Sequence, residues 1–300
     1  MNKTVVIGSK GFIGSHLKKY LEANGSEVWG ADVVADYAES DRYFLIDASN
    51  SDYKTVFENR RFDLCVNCSG AASVPDSLQK PLRDYHLNTV NVFKILEAIR
   101  TNSPGCRFIN LSSAAVYGNP ESLPVQEGMK YNPMSPYGFH KMMSEQVCEE
   151  YHRFFGLKTC SLRIFSAFGE GLKKQLFWDL YQKAKAGGKV SLFGSGRESR
   201  DFIYIRDLVR AIEAVAGHAD FEGEAINIAN GQEVYIEECV RTFYEQFDEK
   251  VNYAFSGKAR EGDPDNWVAD ISRLKNMGYT QKYSLEEGLK NYYRWAKETD

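Results

Sequence analysis

Tyr137 and Lys141 are the two side chains whose types and spacing point most directly to chemistry. They lie four residues apart in Pro136-Tyr-Gly-Phe-His-Lys141, so on a helix one stands a turn above the other. A phenol with a pKa near 10 is a poor base at neutral pH. A neighbouring ammonium favours the phenolate by roughly 4 kcal/mol, which lowers the phenol pKa by about three pH units. The pair therefore predicts a tyrosine that takes a proton from a hydroxyl group.

Ser113 ends a strand-like segment that precedes this pair. It closes Asn110-Leu-Ser-Ser113, and ligands of open parallel sheets bind at the carboxyl ends of the strands. Ser113 is therefore a candidate to orient a substrate oxygen by a hydrogen bond. A serine that only stabilises a turn is the alternative.

Three glycines follow the first strand-like segment at a spacing suited to phosphate binding. Gly8-Ser-Lys-Gly11-Phe-Ile-Gly14 leads from an apolar segment into one of helical periodicity. Glycine allows a tight turn and the close approach of a pyrophosphate, and the helix N-terminus offers free N–H groups. Asp32, which ends the second strand-like segment, is placed to bind ribose hydroxyls and would repel a 2′-phosphate. These residues predict a dinucleotide site that prefers NAD to NADP.

The two aspartates at strand ends have other possible roles. Asp47 ends the third strand-like segment and could accept a hydrogen bond from an adenine amino group, while helix capping is the alternative. For Asp32 the alternative is a solvated turn residue.

Strand-like and helical segments alternate through the first two-thirds of the chain. The strand-like segments are 3–8, 27–32, 43–46, 64–68, 107–111 and 158–165, and the helical ones include 12–24, 82–101 and 137–156. This alternation predicts an α/β fold with a doubly wound parallel sheet. Loops rich in Gly and Arg follow residue 166. We expect a dinucleotide-binding domain over 1–165, with a return at about 203–230, and a smaller mixed α/β substrate-binding lobe over 166–300.

The composition excludes several classes of protein. The chain has 300 residues, 43% of them hydrophobic and 26% charged, and its net charge of −4 argues against a nucleic-acid partner. Because no apolar run reaches 18 residues and the N-terminus does not resemble a signal peptide, we expect a cytoplasmic protein without a membrane partner. Cys65 and Cys68 would point to opposite faces of a strand, so we expect free thiols and no metal site.

On these residues the chain resembles the extended short-chain dehydrogenase/reductase superfamily, and within it the NAD-dependent epimerase/dehydratase family that acts on nucleotide sugars. The resemblance implies a Rossmann-like domain, NAD as cofactor, and Ser113, Tyr137 and Lys141 as catalytic residues. The residues that match the family's cofactor-binding positions are Gly8, Gly11, Phe12, Ile13, Gly14, Asp32, Asp47, Ala48, Cys68, Ser69, Gly70, Asn88, Tyr137 and Lys141.

Three later segments resemble the family's substrate-binding motifs. Residues 163–169 resemble RxFNxxG, with Ser166 where an asparagine usually contacts the sugar diphosphate. Arg200 begins a segment similar to RDFIYVDD, and Arg260 and Asp263 belong to a segment similar to RxGD. The resemblance implies that the two arginines bind a nucleotide diphosphate through paired N–H groups and that Asp263 approaches the ribose. A surface salt bridge is the alternative for each arginine.

The resemblance implies hydride transfer at C4 of the sugar, and it leaves two reactions open. Ala114 and Ala115 stand where 4,6-dehydratases have an Asp-Glu pair, so we do not expect dehydration. A nucleotide-sugar 4-epimerase acting through a 4-keto intermediate is favoured by Asp32. A reductase that uses NAD(P)H on a nucleotide-linked 4-keto-6-deoxy sugar is favoured by the short chain and by Ser166. A non-catalytic NAD-sensing regulator is a remote third possibility.

The resemblance carries two further expectations. Trp267 falls where the family has a wall of the sugar pocket, and its bulk predicts poor tolerance of N-acetylated sugars. The family also implies a homodimer formed through two helices of each subunit, for which the segments 82–101 and 137–156 are candidates.

Overall fold

A computed structural model gives the structure and describes residues 3–38, 40–258 and 264–300. Arg260 and Asp263, which the sequence predicts as substrate ligands, lie outside the described residues. The strands are β1 Lys3–Ile7, β2 Glu27–Asp32, β3 Tyr43–Leu45, β4 Leu64–Asn67, β5 Arg107–Ser113, β6 Thr159–Ile164, β7 Ser166–Phe168, β8 Val190–Leu192, β9 Ser199–Arg200, β10 Phe202–Tyr204, β11 Glu222–Ile228, β12 Val234–Tyr235 and β13 Tyr253–Phe255. The α-helices are α1 Phe12–Ala23, α2 Lys54–Phe57, α3 Val74–Gln79, α4 Pro81–Tyr85, α5 Asn91–Asn102, α6 Pro136–Phe155, α7 Gln175–Lys185, α8 Ile205–His218, α9 Ile236–Tyr244, α10 Ser272–Asn276 and α11 Leu285–Thr299.

A parallel sheet of seven strands organises the described part of the chain. Its order is β11-β6-β5-β4-β1-β2-β3, and each neighbouring pair is parallel. Its central strands are apolar runs such as Val5–Ile7 and are buried on both faces, as expected for a sheet covered by helices on both sides. The predicted doubly wound α/β fold is confirmed. The strand order reverses beside β1, and ligands of such sheets bind in the crevice that this reversal opens.

The segment predicted as one helix over 82–101 is interrupted. It begins with α4 at Pro81, passes through a π-helical turn at His86–Val90 and continues as α5. A π-helical turn adds a residue to the helical turn and is often found at functional sites. Here the turn places Asn88 inside the protein, where only 1% of the residue is exposed.

The C-terminal part of the chain adds short two-stranded ladders beside the large sheet. β7 pairs with β10, β8 pairs with β13, and β9 pairs with β12. In contrast, β11 joins the large sheet next to β6, so residues 222–228 extend the sheet begun by the first half of the chain. The boundary at residue 166 stays a prediction. Among the described residues, we find no helix with the length and apolar character needed to cross a membrane.

Helix α1 lies so close to the end of β1 that only glycine fits at their contact. A Cβ atom at Gly14 would stand 2.1 Å from the carbonyl oxygen of Gly8, and Gly8 itself has a φ of +79°. Because both contacting groups belong to the backbone, neither can turn aside. The three-glycine spacing therefore sets the distance between the helix N-terminus and the sheet.

Substitution of Gly14 tests this contact. We expect Gly14→Ala to lower the free energy of unfolding by about 1–3 kcal/mol, as overpacking does, and to weaken NAD binding. Urea unfolding and a titration with NAD measure the two effects. Gly217→Ala is the matched control, because a Cβ there meets no atom within 4 Å and the helical site should gain up to about 1 kcal/mol. Equal stability of the two variants would contradict the proposed contact.

Candidate active site

A cleft of about 1130 Å³ opens at the carboxyl ends of the central strands. It extends from the N-terminus of α1 to the segments around β7 and β9, which belong to the second half of the chain. The predicted site residues that line it are Gly11, Phe12, Ile13, Cys68, Ser69, Gly70, Ser113, Tyr137, Lys141, Ser166 and Arg200. Residues far apart in the sequence thus meet in one cavity.

The start of α6 brings Tyr137 to Ser113. The Ser135 hydroxyl caps the helix by accepting a hydrogen bond from the Gly138 N–H, and Pro136 occupies the first turn, where a missing N–H costs nothing. Gly138 packs against the backbone that follows β5, since a Cβ there would lie 2.6 Å from the Ala115 carbonyl oxygen. This contact places Tyr137 beside Ser113, whose hydroxyl favours the ionised form of the phenol and lowers its pKa.

Lys141 lies one turn further along α6, at the buried floor of the cleft. It is 5% exposed, and its ammonium donates a 2.8 Å hydrogen bond to the Leu111 carbonyl of β5. The Nζ atom stands 6.0 Å from the centre of the Tyr137 ring. Both side chains line the same cleft.

The sequence argument predicts a lowered pKa for Tyr137, and the structure raises it instead. Burial raises the pKa of Tyr137 to about 12; the hydrogen bond from Ser113 lowers it, and the charge of Asp84 raises it. Burial also lowers the pKa of Lys141 to about 8, against the charges of Asp84 and Glu145, which raise it. The cost of removing both groups from water outweighs the attraction that the sequence argument considered.

The glycine loop and Asp32 are joined by backbone hydrogen bonds. The Asp32 carboxylate accepts the N–H of Lys10 at 2.8 Å through one oxygen and the N–H of Val33 at 2.7 Å through the other. The N-cap of α1 is Gly11, which has no side chain that could cover the first N–H groups of the helix. The loop therefore presents free N–H groups and a positive helix end to the cleft.

Asp47 and Ala48 lie at the exposed end of β3, away from the residues that line the cleft. One carboxylate oxygen of Asp47 accepts from the N–H and the hydroxyl of Ser49, at 2.7 and 2.6 Å, in the manner of a turn residue. These bonds lower the pKa of Asp47. The structure thus brings Asp47 and Ala48 to the Asp32 end of the sheet and not to Tyr137.

The segment after β4 passes close to Lys141. Ser69 donates its hydroxyl to Asn67 at 2.6 Å, and Gly70 adopts a φ of +123°. A Cβ at Gly70 would lie 2.5 Å from Asn88 Oδ1 and 3.5 Å from Lys141 Nζ. The glycine therefore leaves room between these two polar groups at the floor of the cleft.

Ser166, Arg200 and Trp267, which belong to the second half of the chain, also line the cleft. Arg200 donates to the carbonyl groups of Ser199 and Asp265 and lies over the Trp267 ring at 5.7 Å. Trp267 is 9% exposed, and its indole N–H donates to the Gly118 carbonyl at 2.9 Å. The indole ring is therefore held as a fixed wall.

A buried ion pair behind the catalytic residues is a feature that the sequence interpretation missed. Glu145 of α6 and Arg163 of β6 are 4% and 3% exposed, and their closest N–O distance is 2.7 Å. Arg163 also donates to the hydroxyls of Tyr117 and Tyr131, at 2.7 and 2.9 Å. Burial alone would lower the pKa of Arg163, but the hydrogen bonds and charge of Glu145 raise it. The sequence did hold a signal for Glu145: it follows Lys141 by four residues, and this spacing places both side chains on the same face of the helix.

The parallel sheet, the glycine loop and the paired tyrosine and lysine define a dinucleotide-binding oxidoreductase-type enzyme of the Rossmann class. Residues 4–229 match the model of the NAD dependent epimerase/dehydratase family. The chain belongs to this NAD-dependent family, and the predicted family, enzyme class and cofactor are confirmed.

Known relatives cover nearly the whole chain. A UDP-glucose 4-epimerase of Azospirillum brasilense is 29% identical over 96% of this chain and 89% of its own. The UDP-glucuronic acid 4-epimerase of Bacillus cereus, solved with UDP-glucuronic acid and NAD, has a TM-score of 0.88 at 27% identity and covers 99% of both chains. The UDP-N-acetylglucosamine 4-epimerase of Methanobrevibacter ruminantium, solved with UDP-N-acetylmuramic acid, has a TM-score of 0.86 at 26% identity, over 100% of this chain and 99% of that one.

Removing one partner of the buried ion pair should be costly. We expect Arg163→Met to lower the free energy of unfolding by about 3–5 kcal/mol, because Glu145 would keep a buried charge without its cation. The double variant Arg163→Met/Glu145→Leu should recover part of this loss. Chemical denaturation measures both. Lys54→Met, which breaks an exposed pair with Glu58, is the control and should change stability by less than about 1 kcal/mol. A similar small effect for Arg163→Met would refute the argument.

Proposed function

We propose that the protein is an NAD-dependent nucleotide-sugar epimerase that inverts C4 of a hexose through a 4-keto intermediate. The observation that carries this proposal is the meeting of Ser113, Tyr137 and Lys141 in the cleft into which the N-terminus of α1 opens. The names of the relatives, which are UDP-sugar 4-epimerases, support a UDP-hexose as the substrate class.

The residues present fit the cofactor. The glycine loop offers N–H groups to a pyrophosphate, Asp32 offers carboxylate oxygens to ribose hydroxyls, and Asn88 Oδ1 is buried without a hydrogen-bond partner among the described residues. We assign the remaining cofactor contacts to Gly8, Phe12, Ile13, Gly14, Asp47, Ala48, Cys68, Ser69 and Gly70. Bound NAD supplies the acceptor and donor for the hydride at C4.

The three catalytic side chains divide the proton chemistry among them. In the proposed reaction, Tyr137 Oη takes the proton of the C4 hydroxyl as that alcohol is oxidised, and returns it when the ketone is reduced from the other face. Ser113 holds the C4 oxygen by a hydrogen bond. Because burial raises the pKa of Tyr137 to about 12, the phenolate needs a positive charge beside it. Lys141 and the oxidised nicotinamide ring would provide that charge.

The substrate would lie between the catalytic residues and the far wall of the cleft. We assign Ser166 and Arg200 to the nucleotide diphosphate, since both line the cavity and a guanidinium pairs well with phosphate oxygens. Arg260 and Asp263 keep their proposed roles at the diphosphate and the ribose, on sequence grounds alone. In this arrangement residues 1–165 hold the cofactor and residues 166–300 hold the nucleotide sugar.

We propose a homodimer formed through α4–α5 and α6. Large apolar side chains are exposed on these helices, namely Leu82, Tyr85, Phe93, Phe139, Phe154 and Phe155. Such a concentration is typical of a surface that a partner covers. Sedimentation equilibrium distinguishes a mass of twice 34.1 kDa from that of a single chain.

We place the enzyme in the cytoplasm, because its six cysteines are free thiols, as is usual in a reducing compartment.

Turnover by the purified chain separates the epimerase from the reductase. We expect UDP-glucose or UDP-glucuronate to be converted to its C4 epimer without added cofactor. Tyr137→Phe should lower kcat by a factor of about 10²–10⁴, because it removes the general acid–base group, and should still bind NAD. Chromatography of the sugar nucleotides and NAD fluorescence titrations measure these effects. Stoichiometric consumption of added NAD(P)H with a 4-keto sugar nucleotide would instead identify a reductase.

Trp267 is expected to limit the size of the sugar. Because its ring is fixed by the Gly118 carbonyl, kcat/KM for UDP-N-acetylglucosamine should be at least about tenfold below that for UDP-glucose. Trp267→Ala should bring the kcat/KM values for the two substrates closer together. Paired assays of both substrates with both proteins measure it, and rapid turnover of the N-acetylated substrate by the unaltered protein would refute the expectation.

A further inference from the structure

Asp84 is a buried carboxylate next to the catalytic helix. It belongs to α4 and is 2% exposed. Its Oδ1 atom lies 2.6 Å from Nδ1 of His140, the residue directly before Lys141 on α6. The same oxygen accepts a 3.1 Å hydrogen bond from the Asn88 amide. A carboxylate only accepts hydrogen bonds, so Nδ1 of His140 carries a hydrogen and donates it to Asp84.

Asp84 and Asn88 each keep an acceptor atom that their own contact does not use. Asp84 Oδ2 and Asn88 Oδ1 are both buried without a hydrogen-bond partner among the described residues. Buried acceptors of this kind are rare and call for an explanation. Asn88 Oδ1 and Lys141 Nζ border the same position, that of the missing Cβ of Gly70, at 2.5 and 3.5 Å. Asn88 therefore contacts Asp84 through its amide nitrogen, while its amide oxygen borders the same position at Gly70 as the Lys141 ammonium.

Two carboxylates of the described residues act on Lys141, those of Asp84 and Glu145, and of these Asp84 has an oxygen that accepts no hydrogen bond. The titratable groups that act on the ammonium are Asp84 of α4, Glu145 and Cys148 of α6, and Cys68 after β4. Both oxygens of Glu145 already accept hydrogen bonds, from Arg163, Ser112 and Tyr131. Burial lowers the pKa of Lys141, and the charge of Asp84 is the largest of the effects that raise it.

We propose that Asp84 and His140, acting through Asn88, are positioning residues that keep Lys141 in its ammonium form inside the buried site. The inference rests on the proposed function only in assigning Lys141 to the reaction. His140 orients the carboxylate by its Nδ1–H, and its ring packs edge-on against Tyr85 at 5.4 Å; the His86 ring also contacts Tyr85. The π-helical turn places Asn88 between the carboxylate and the lysine.

The sign of the expected pH effect follows from the charge of Asp84. Because a neighbouring anion favours the ammonium, removing it lowers the pKa of Lys141 below its value of about 8. The lysine then loses its proton at a lower pH. The alkaline decline of kcat should therefore move to lower pH, whereas the activity at acidic pH should stay unchanged.

Asp84→Asn is the principal variant, because the amide preserves the shape of the side chain. We expect its alkaline decline in kcat to shift down by about one pH unit, so that kcat at pH 8.5 is about tenfold below that of the unaltered protein. At pH 6.5 the two proteins should agree within about twofold. Asp84→Glu, which keeps the charge, should restore most of the profile. A uniform loss of kcat across the pH range would indicate a structural role and overturn the proposal.

A second variant and a control distinguish a specific effect on Lys141 from misfolding of the protein. His140→Gln leaves the charge of Asp84 in place and removes the ring that orients the carboxylate, so its shift of the profile should be smaller than that of Asp84→Asn. Glu150→Gln removes an exposed carboxylate from the same helix and should leave the profile unchanged. Circular dichroism and light scattering of each variant establish that the fold and the oligomeric state are preserved. If Asp84→Asn does not shift the profile, the proposal is wrong.

NAD affinity gives a readout that does not depend on the sugar reaction. Because the Lys141 ammonium would contact the nicotinamide ribose, NAD affinity should fall over the pH range in which the lysine loses its proton. This fall should occur at a lower pH in Asp84→Asn, as measured by fluorescence titration of the full chain. If the unaltered protein epimerises no nucleotide sugar but this shift is present, the proposed function fails while the role of Asp84 stands.

Discussion

The burial of α6 against the sheet is the constraint on which the active site depends. Glu145 of this helix forms an ion pair with Arg163 of β6, and both residues are nearly free of solvent. Such a pair contributes little net stability. Any arrangement that separates the two residues leaves a buried charge without its partner, which is strongly unfavourable. Tyr137 and Lys141 stand two turns and one turn before Glu145 on the same helix. The pair therefore fixes the height and rotation at which the catalytic side chains enter the cleft.

Burial also determines the electrostatics of the site. Removal from water favours the neutral forms of both Tyr137 and Lys141, since it raises one pKa and lowers the other. A site built in this way favours a neutral tyrosine, and the oxidised nicotinamide ring of bound NAD would supply a positive charge beside it. Charge that develops in such a dry cavity interacts more strongly than it would in water. The surrounding carboxylates, Asp84 and Glu145, act in the opposite direction on the lysine and keep it close to its charged form.

Glycine occurs where backbone must approach backbone or a ligand. Gly14 lets α1 approach β1, Gly138 lets α6 approach the backbone after β5, and Gly70 leaves a gap between Asn88 and Lys141. A Cβ at any of these three positions would lie within 2.6 Å of another heavy atom. The dimensions of the cleft are thus set by the absence of side chains as much as by their presence.

Local patterns in the sequence determined the alternation of strands and helices, the glycine loop and the spacing of Tyr137 and Lys141, because periodicity and turn chemistry act over a few residues. They could not determine which way a π-helical turn would aim Asn88, because an uninterrupted helix fits the same residues equally well. The pKa of Tyr137 depends on how much water the folded chain removes, which spacing along a helix does not contain. The contacts of Glu145 with Arg163 and of Asp84 with His140 join residues 18 and 56 positions apart. Only the tertiary structure brings such residues together, since their encounter depends on the packing of whole elements.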